Sequence, residues 1–204
     1  MDVHDEPADP AVGTPPALTA EERTTLLRLA RACVEAAAAG RPAPSLLDAE
    51  LTPGLLAPRA AFVTLRDGGG ELRGCIGDLD DTRPAWENVR TAARGAAIRD
   101  PRFYPVTPAE VSGLVVDVNV LGDPADLPDP AAFDPVRHGV IVSRDGRRAL
   151  LLPNVGPPLG WDARGTLDAV CQKAGLPADA WRRPGTRLQV FATTEFGEEP
   201  APRH

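Results

Sequence analysis

The 204-residue chain has one lysine, one tyrosine, one methionine and three cysteines, and aromatic residues make up only 4% of it. Its formal net charge is −7, and no cluster of basic residues occurs along it. Because nucleic acids and anionic membranes are bound by concentrated positive charge, the sequence argues against both as partners. No apolar run approaches the roughly 18 residues of a membrane span, and the acidic, proline-rich N-terminus is unlike a signal peptide. We therefore expect a cytoplasmic protein that binds a small molecule or another protein.

The three cysteines are too few and too widely spaced for a disulfide framework, and no CxxC pair suggests a zinc site. We expect reduced thiols and no cofactor. Hydrophobic residues at 43% and charged residues at 25% are typical of a globular protein. The bulk of the chain is therefore expected to fold around an ordinary apolar core.

Composition divides the chain into one domain and two tails. Residues 1–17 are rich in Pro, Asp and Ala without periodicity, which predicts a disordered N-terminal tail. Residues 198–204 are assigned to a C-terminal tail. Residues 18–197 are predicted to form a single domain, long enough for one substantial core.

Helix and strand signals alternate along this domain. Thr19 and Glu22 have the spacing of a capping box, and Gly40 ends the helix that they begin. The predicted strands are residues 60–66, 71–77, 114–121, 138–143, 148–152 and 186–195, and the other helical segments follow Pro84, Thr107 and either Asp162 or Thr166. Glycine-rich turns join two of the strand pairs as hairpins. Hairpins with helices between them favour an α+β fold with an antiparallel or mixed sheet over a parallel βαβ array.

The sequence sets Cys75 apart from the other two cysteines. Cys33 and Cys171 each lie on the apolar stripe of a predicted helix, where a thiol behaves as a small hydrophobic residue. Cys75 lies instead in the strand segment Leu72-Arg73-Gly74-Cys75-Ile76-Gly77. Cys75 is therefore the candidate for thiol chemistry.

Alternation along that strand gives Cys75 a charged neighbour. With a period of two residues, Leu72, Gly74 and Ile76 are expected to anchor the strand, while Arg73 and Cys75 share the opposite face. A guanidinium beside a thiol favours the thiolate, which is the nucleophilic and metal-binding form. The alternative is a glycine-kinked strand that buries a structural cysteine. The sequence leaves both open.

A base and a carboxylate could complete a site around Cys75. His4 and His204 lie in the predicted tails, so His138 is the candidate base, and Asp117 is the candidate carboxylate because it interrupts an apolar strand. Cysteine, histidine and a carboxylate form the usual arrangement for nucleophilic thiol chemistry. Each also has a plain alternative, since His138 could only begin a strand and Asp117 could only face water. A metal site of Cys75, His138 and Asp117 is chemically possible, but their spacing is not diagnostic and we predict no metal.

Five further residues are candidates for substrate binding. Gly74 and Gly77 permit close approach of a ligand or unusual backbone angles. Arg102 lies beside a proline break that could line a cleft or simply attach a helix end to the core. Asn154 and Trp161 follow the second hairpin, although a lone tryptophan is more often a packing residue.

Six segments occur in the order seen in the AMMECR domain family, which the chain resembles over residues 20–197. They are Phe62-Val63-Thr64-Leu65, the hexapeptide from Leu72 to Gly77, Asp100-Pro101-Arg102-Phe103, His138-Gly139, Leu151-Leu152-Pro153 and Gly160-Trp161-Asp162. The hexapeptide is highly specific to that family, whose prokaryotic members are called AmmeMemoRadiSam system protein A. The resemblance implies a two-lobed α+β fold, mostly antiparallel or mixed sheet flanked by helices, with a cleft between the lobes beside Cys75.

The resemblance also implies partners but supplies no settled reaction. The partners are a Memo-like protein, itself similar to extradiol dioxygenases, and a radical SAM protein. Cys75, Arg73 and His138 match the family pattern directly. One hypothesis is an enzyme in which Cys75, activated by Arg73 and His138, acts as a nucleophile or redox-reactive thiol on a small molecule. The other is a non-catalytic module that docks a Memo-like dioxygenase relative or binds its substrate.

Overall fold

A computed structural model describes residues 15–199, which form two compact units. Among the described residues, the first unit comprises 17–121 and 194–199, and the second comprises 15–16 and 122–193. Each unit contains one four-stranded sheet, and the strand pairings within both are antiparallel where their register is given. Together with the helices this is the α+β fold that the sequence predicts.

In chain order the elements are α1 (Ala20–Ala38), α2 (Pro53–Leu56), β1 (Ala61–Arg66), β2 (Leu72–Asp78), α3 (Ala85–Ile98), β3 (Val115–Leu121), β4 (Ala125–Asp126), β5 (Gly139–Arg144), β6 (Arg147–Leu151), α4 (Ala163–Lys173), β7 (Arg187–Phe191) and β8 (Thr193–Gly197). The strand order is β2-β1-β3-β8 in the first unit and β4-β7-β5-β6 in the second. Strand β2 is therefore an edge strand.

The predicted capping box begins α1. The Thr19 hydroxyl accepts from the Glu22 N–H at 3.1 Å, and the Glu22 carboxylate accepts from the Thr19 N–H at 2.8 Å. That carboxylate also accepts from the Thr52 hydroxyl and from the Gly54 N–H, so it joins the helix start to α2. Burial of Glu22 acts to raise its pKa, but these hydrogen bonds outweigh it and lower the pKa.

The core of the first unit lies between its sheet and helices α1 and α3. The two helices pack against each other, with α3 on β1 and β2 and α1 on β3. Residues Val63, Leu65, Val116 and Val118 are fully buried in this core. Because side chains alternate along a strand, the residues between them point to the other face of the sheet.

The second unit packs α4 against β5 and β6. Asp162, one of the two predicted caps, begins α4, and its carboxylate accepts from the Gly165 N–H at 2.7 Å. The apolar face of the helix, including Leu167, Val170 and Cys171, is buried against the sheet. A separate apolar core therefore supports each sheet.

The single strand predicted over residues 186–195 is wrong. Strand β7 ends at Phe191 and β8 begins at Thr193, and the two belong to different sheets. A run of β-favouring residues indicates extended backbone but does not specify the partner strand, so it cannot reveal where a chain leaves one sheet for another. The short elements α2 and β4 lie outside the segments predicted as helices or strands.

Residues 1–14 and 200–204, which hold most of the predicted tails, lie outside the described residues, as do His4 and His204. Glu198, which the sequence assigns to the C-terminal tail, has defined partners. Its carboxylate accepts from Arg31 Nε at 2.8 Å and from the Val116 N–H at 2.9 Å. The first unit therefore includes Glu198.

Candidate functional site

Strand register places three polar side chains in a line. Cys75 on β2 pairs with Thr64 on β1, and Thr64 pairs with Asp117 on β3. Directly opposed residues of antiparallel strands point to the same face of a sheet. A thiol, a hydroxyl and a carboxylate therefore cross three strands on the face away from α1 and α3, and we call Cys75, Thr64 and Asp117 the polar row.

The turn between β1 and β2 helps to fix this register. The Asp67 side chain accepts from the Gly69 N–H at 2.8 Å and the Glu71 N–H at 3.0 Å, and Gly70 has a φ of +88°. An aspartate that bonds to the backbone ahead of it and a glycine with positive φ are typical of tight turns. The glycine-rich segment is therefore the predicted hairpin turn.

Cys75 receives a hydrogen bond at its sulfur. The Thr64 hydroxyl lies 3.3 Å from Cys75 Sγ and donates to it. Cys75 is half-buried, whereas Cys33 and Cys171 are 0% exposed in the two cores, which confirms their predicted packing role. Burial raises the pKa of Cys33 to about 11 and also raises that of Cys171. Cys75 is thus the most accessible of the three thiols.

Asp117 forms the other end of the polar row. Arg66 Nε lies 3.2 Å from its carboxylate, and the Asp117 side chain is 22% exposed. Burial raises the pKa of Asp117, the Arg66 charge opposes this, and the nearby Glu198 carboxylate adds to it. Thr64 stands between Asp117 and Cys75, and neighbouring strands lie about 4.8 Å apart, so the Cα atoms of Asp117 and Cys75 are about 10 Å apart along the row.

The backbone of Cys75 is held by an ion pair between the buried Asp100 carboxylate and the half-exposed Arg102. An edge strand leaves N–H and C=O groups without strand partners, and buried backbone groups need partners. The Asp100 carboxylate accepts from the Cys75 N–H at 2.8 Å, and Arg102 Nη2 lies 3.4 Å from the Cys75 carbonyl oxygen. Arg102 also binds Asp100 through Nε at 2.9 Å and through Nη2 at 2.7 Å. Hydrogen bonds from Arg102 lower the pKa of Asp100 to about 2, although burial of the carboxylate acts to raise this pKa.

Arg73 has a different environment from the predicted one. The β1–β2 register shifts between Leu65 and Arg66, so regular alternation is interrupted beside Arg73 and Leu72 is 37% exposed. The Arg73 guanidinium pairs with Glu110 at 3.0 Å and lies over the Phe103 ring. The prediction that Leu72 anchors the strand is wrong, because a bulge breaks the two-residue period. The guanidinium that reaches the Cys75 residue is that of Arg102.

The two glycines around Cys75 allow close packing within the first unit. A Cβ on Gly74 would lie 2.3 Å from the Ala96 carbonyl oxygen of α3, and one on Gly77 would lie 2.2 Å from the Phe62 ring. Gly95 of α3 accommodates Ile76 in the same way, at 2.8 Å. These contacts explain the glycines as packing residues, and their role in substrate binding stays a prediction.

His138 belongs to the second unit. It is 3% exposed, its Nδ1 lies 3.4 Å from the Asp134 N–H, and its ring lies near Phe133. The backbone N–H of His138 donates to the Asp134 carbonyl oxygen at 2.9 Å in the turn before β5. Because Cys75 lies in the first unit, the role of His138 as its base stays a prediction.

Asn154 and Trp161 also belong to the second unit. Asn154 has a φ of +57° and donates its N–H to the Pro135 carbonyl at 2.8 Å, which is a turn conformation that asparagine tolerates. Trp161 is 36% exposed and precedes the α4 cap. Asn154 therefore has a local structural role, and ligand contact stays a prediction for both residues.

Within residues 15–199, no group of three or more His, Cys, Asp and Glu side chains is arranged to hold a metal ion. In the same part of the chain, no helix has the length and apolar character needed to cross a membrane.

Sequence reasoning missed Thr64 and Asp100. Thr64 carries a recognisable signal, since it is a hydroxyl residue between two buried apolar residues of a strand. Asp100 lies in one of the six segments that resemble the family, but an aspartate before a proline at a helix end is ordinary, so the segment did not identify it as a site residue. Both become site residues only through the pairing of β2 with its neighbours.

Comparisons with known proteins agree with this fold. A family model described as AMMECR1 matches residues 27–196. A protein of Methanothermobacter thermautotrophicus is 38% identical over 188 residues, which cover 89% of this chain and 97% of that protein. A protein of Aeropyrum pernix is 41% identical over 182 residues, covering 85% of this chain and 77% of that protein. The crystal structure of uncharacterized protein PH0010 from Pyrococcus horikoshii has a TM-score of 0.79 at 36% identity and covers 86% of this chain and 91% of that chain.

The fold and the hexapeptide around Cys75 therefore define an α+β protein with two antiparallel sheets and a thiol on an edge strand. The chain belongs to the AMMECR1 family. The names of the relatives above assign no reaction to them.

Proposed function

We propose that Cys75 is a nucleophilic thiol that attacks an electrophilic carbon of a small molecule. The observation that carries the proposal is the polar row, in which the Thr64 hydroxyl donates to the Cys75 sulfur at 3.3 Å. A hydrogen bond to a charged group is worth about 1.5–3 kcal/mol, more than one to a neutral group, so it favours the thiolate. The thiolate is the reactive form of cysteine.

Arg102 supplies the positive charge that the sequence assigns to Arg73. Its Nη2 lies 3.4 Å from the Cys75 carbonyl oxygen. The pKa of Arg102 is raised mainly by Asp100, and the charge of a Cys75 thiolate would raise it a little more. Arg102 therefore holds the Cys75 backbone and places a positive charge near this residue.

The reaction class is addition of the thiol to a polarised double bond, such as an aldehyde carbonyl. The sulfur lone pair forms the S–C bond, the π electrons of the C=O bond move to the oxygen, and the proton lost by sulfur ends on that oxygen. No electron is gained or lost overall, so the step needs no oxidant. In this proposal Asp117, two strands away from Cys75 in the polar row, binds a hydroxyl or amine at the far end of the substrate.

The test is the pH dependence of Cys75 alkylation by iodoacetamide in the folded protein, followed by peptide mass spectrometry. We expect labelling that is confined to Cys75 and rises with pH, because the thiolate is the nucleophile. Cys33 and Cys171 are internal controls, since both are fully buried, and Cys75→Ser gives the background. A Cys75 thiol that stays inert up to about pH 9 would remove the mechanism.

A second candidate function is a non-catalytic partner module, and one observation favours it. The motif residues Gly74, Gly77 and Asp100 all have structural roles that need no substrate. In this function Cys75 is structural and the protein acts by docking a Memo-like protein, alongside a radical SAM protein. These two partners come from the family resemblance.

Two substitutions of Cys75 separate the candidates. Purified Cys75→Ser and Cys75→Ala variants are compared with the unaltered protein for binding to a purified Memo-like protein and for alkylation. The module predicts retained partner binding in both variants. The module also predicts retained pathway output, whereas the enzyme predicts that both variants lose pathway output while the far-ultraviolet circular dichroism spectrum is unchanged.

A further inference from the structure

A cavity of about 540 Å³ lies in the first unit, between the segment after α1 and one side of α3. The residues that matter to its chemistry are Gly40, Arg41, Arg90, Thr91, Arg94 and Arg99. Four of these are arginines, and no carboxylate residue is among the described residues that line the cavity. The helices lie on the opposite face of the sheet from the polar row, so this cavity is a separate site.

Such a concentration of positive charge is unexpected in this chain. The formal net charge is −7, yet four positive charges surround one cavity. Arg90 and Arg94 are four residues apart on α3, and like charges at that spacing destabilise a helix by about 0.2–0.5 kcal/mol. The helix therefore carries a small electrostatic cost at this position.

Two of the four arginines, Arg90 and Arg94, are positioned without being neutralised. Arg90 donates from Nε to the Pro44 carbonyl at 2.7 Å and from Nη2 to the Ala43 carbonyl at 3.0 Å. Arg94 donates from Nη1 to the Arg41 carbonyl at 3.1 Å. A carbonyl orients a guanidinium but carries no net charge, and each guanidinium has five N–H donors. Donors thus remain for a ligand.

No ion pair offsets these charges within residues 15–199, where none of the four arginines has a carboxylate partner. The alternative is that they neutralise helix C-termini, since α1 ends at Ala38 and Arg99 follows α3. A helix C-terminus carries about −0.5 charge, so two helix ends supply about −1 against four positive charges. Most of the positive charge is left over.

We propose that this cavity binds a small molecule carrying two or more phosphate charges. Planar guanidinium groups bind phosphate oxygens with two parallel hydrogen bonds, which makes several arginines the usual partner of a multiply charged phosphate. The volume of about 540 Å³ lies within the roughly 300–1,000 Å³ of small-molecule sites. The proposal does not depend on the reactivity of Cys75.

Isothermal titration calorimetry with sodium pyrophosphate and with ATP tests the site. We expect saturable binding of one molecule per chain that weakens as sodium chloride is added, because salt screens exposed charges. Arg94→Gln and Arg99→Gln should each raise the Kd at least about tenfold, the effect of losing a charge-assisted hydrogen bond. Arg99 is exposed and its side chain has no hydrogen bond to the described residues, so its replacement leaves the fold intact.

The matched control is Arg23→Gln, which removes an exposed arginine of α1 that lies outside the cavity and should leave the Kd unchanged. Absence of binding for both pyrophosphate and ATP at millimolar concentration would overturn the proposal. So would an equal loss of affinity in Arg23→Gln and Arg99→Gln, which would indicate a general charge effect. Tighter binding of phosphoinositide-containing vesicles or of an oligonucleotide than of ATP would also overturn it, since the proposed ligand is a free small molecule.

Discussion

Replacing Asp100 by asparagine removes the anion that holds the edge strand at Cys75. Asp100 is 4% exposed, and its carboxylate accepts from the Cys75 N–H, from the Arg102 backbone N–H and from two guanidinium nitrogens of Arg102. Asparagine has nearly the same shape, but it offers one acceptor oxygen and turns an NH₂ group toward donors. At least one buried donor is left without an acceptor, which is the costly case for a hydrogen bond.

The size of the effect follows from the ionisation of Asp100. The fall of its pKa from 3.8 to about 2, caused chiefly by Arg102, corresponds to about 2.5 kcal/mol. The Arg102 side chain is 54% exposed, so solvent screens the pair and about 1–2 kcal/mol is expected. Because the folded state favours the carboxylate, this stability is complete above about pH 4 and is lost as the pH falls through about 2.

Urea unfolding followed by fluorescence measures this difference. At neutral pH, Asp100→Asn should lower the free energy of unfolding by about 1–2 kcal/mol with little change in the urea dependence. The difference in the free energy of unfolding between Asp100→Asn and the unaltered protein should become smaller as the pH falls below about 4. Asp81→Asn, which changes an exposed carboxylate, is the matched control. Equal urea midpoints for Asp100→Asn and Asp81→Asn would refute the reasoning. So would a stability difference between Asp100→Asn and the unaltered protein that does not vary with pH.

Two further substitutions test the packing and the helix cap. Gly74→Ala places a methyl group 2.3 Å from the Ala96 carbonyl oxygen, so a loss of about 1–3 kcal/mol is expected in thermal unfolding. Gly113→Ala has open space around its Cβ and should cost far less; similar losses would exclude the clash. Asp162→Ala removes the cap of α4 and should lower the free energy of unfolding, measured in urea, by about 1 kcal/mol. Asp162→Asn should retain most of this stability, because asparagine is also a good cap. Equal stability of Ala and Asn variants would contradict the cap.

Local signals predicted much of the fold. The capping box of Thr19 and Glu22, the turn at Asp67 and the cap at Asp162 each act over a few residues, so the sequence carries them directly. The buried apolar stripe of α1 that contains Cys33 likewise follows from the helical period alone.

The site depends on relations that no local pattern contains. Thr64 meets Cys75 and Asp117 only because of the registers of β1 with β2 and β3, and a bulge moves Arg73 away from strict alternation. Asp100 reaches the Cys75 N–H across 25 positions of sequence. Such distant contacts form through tertiary pairing, so sequence spacing could identify Cys75 but not its partners.

The rate of Cys75 alkylation in Thr64→Val and Thr64→Ser most directly tests the claim that the polar row activates the thiol. Serine keeps the hydroxyl that donates to Sγ, and valine replaces it with a methyl group of similar shape. We expect the serine variant to react at close to the unaltered rate and the valine variant to react about tenfold more slowly, the value of one hydrogen bond. A folded valine variant that is alkylated as fast as the unaltered protein would contradict the account.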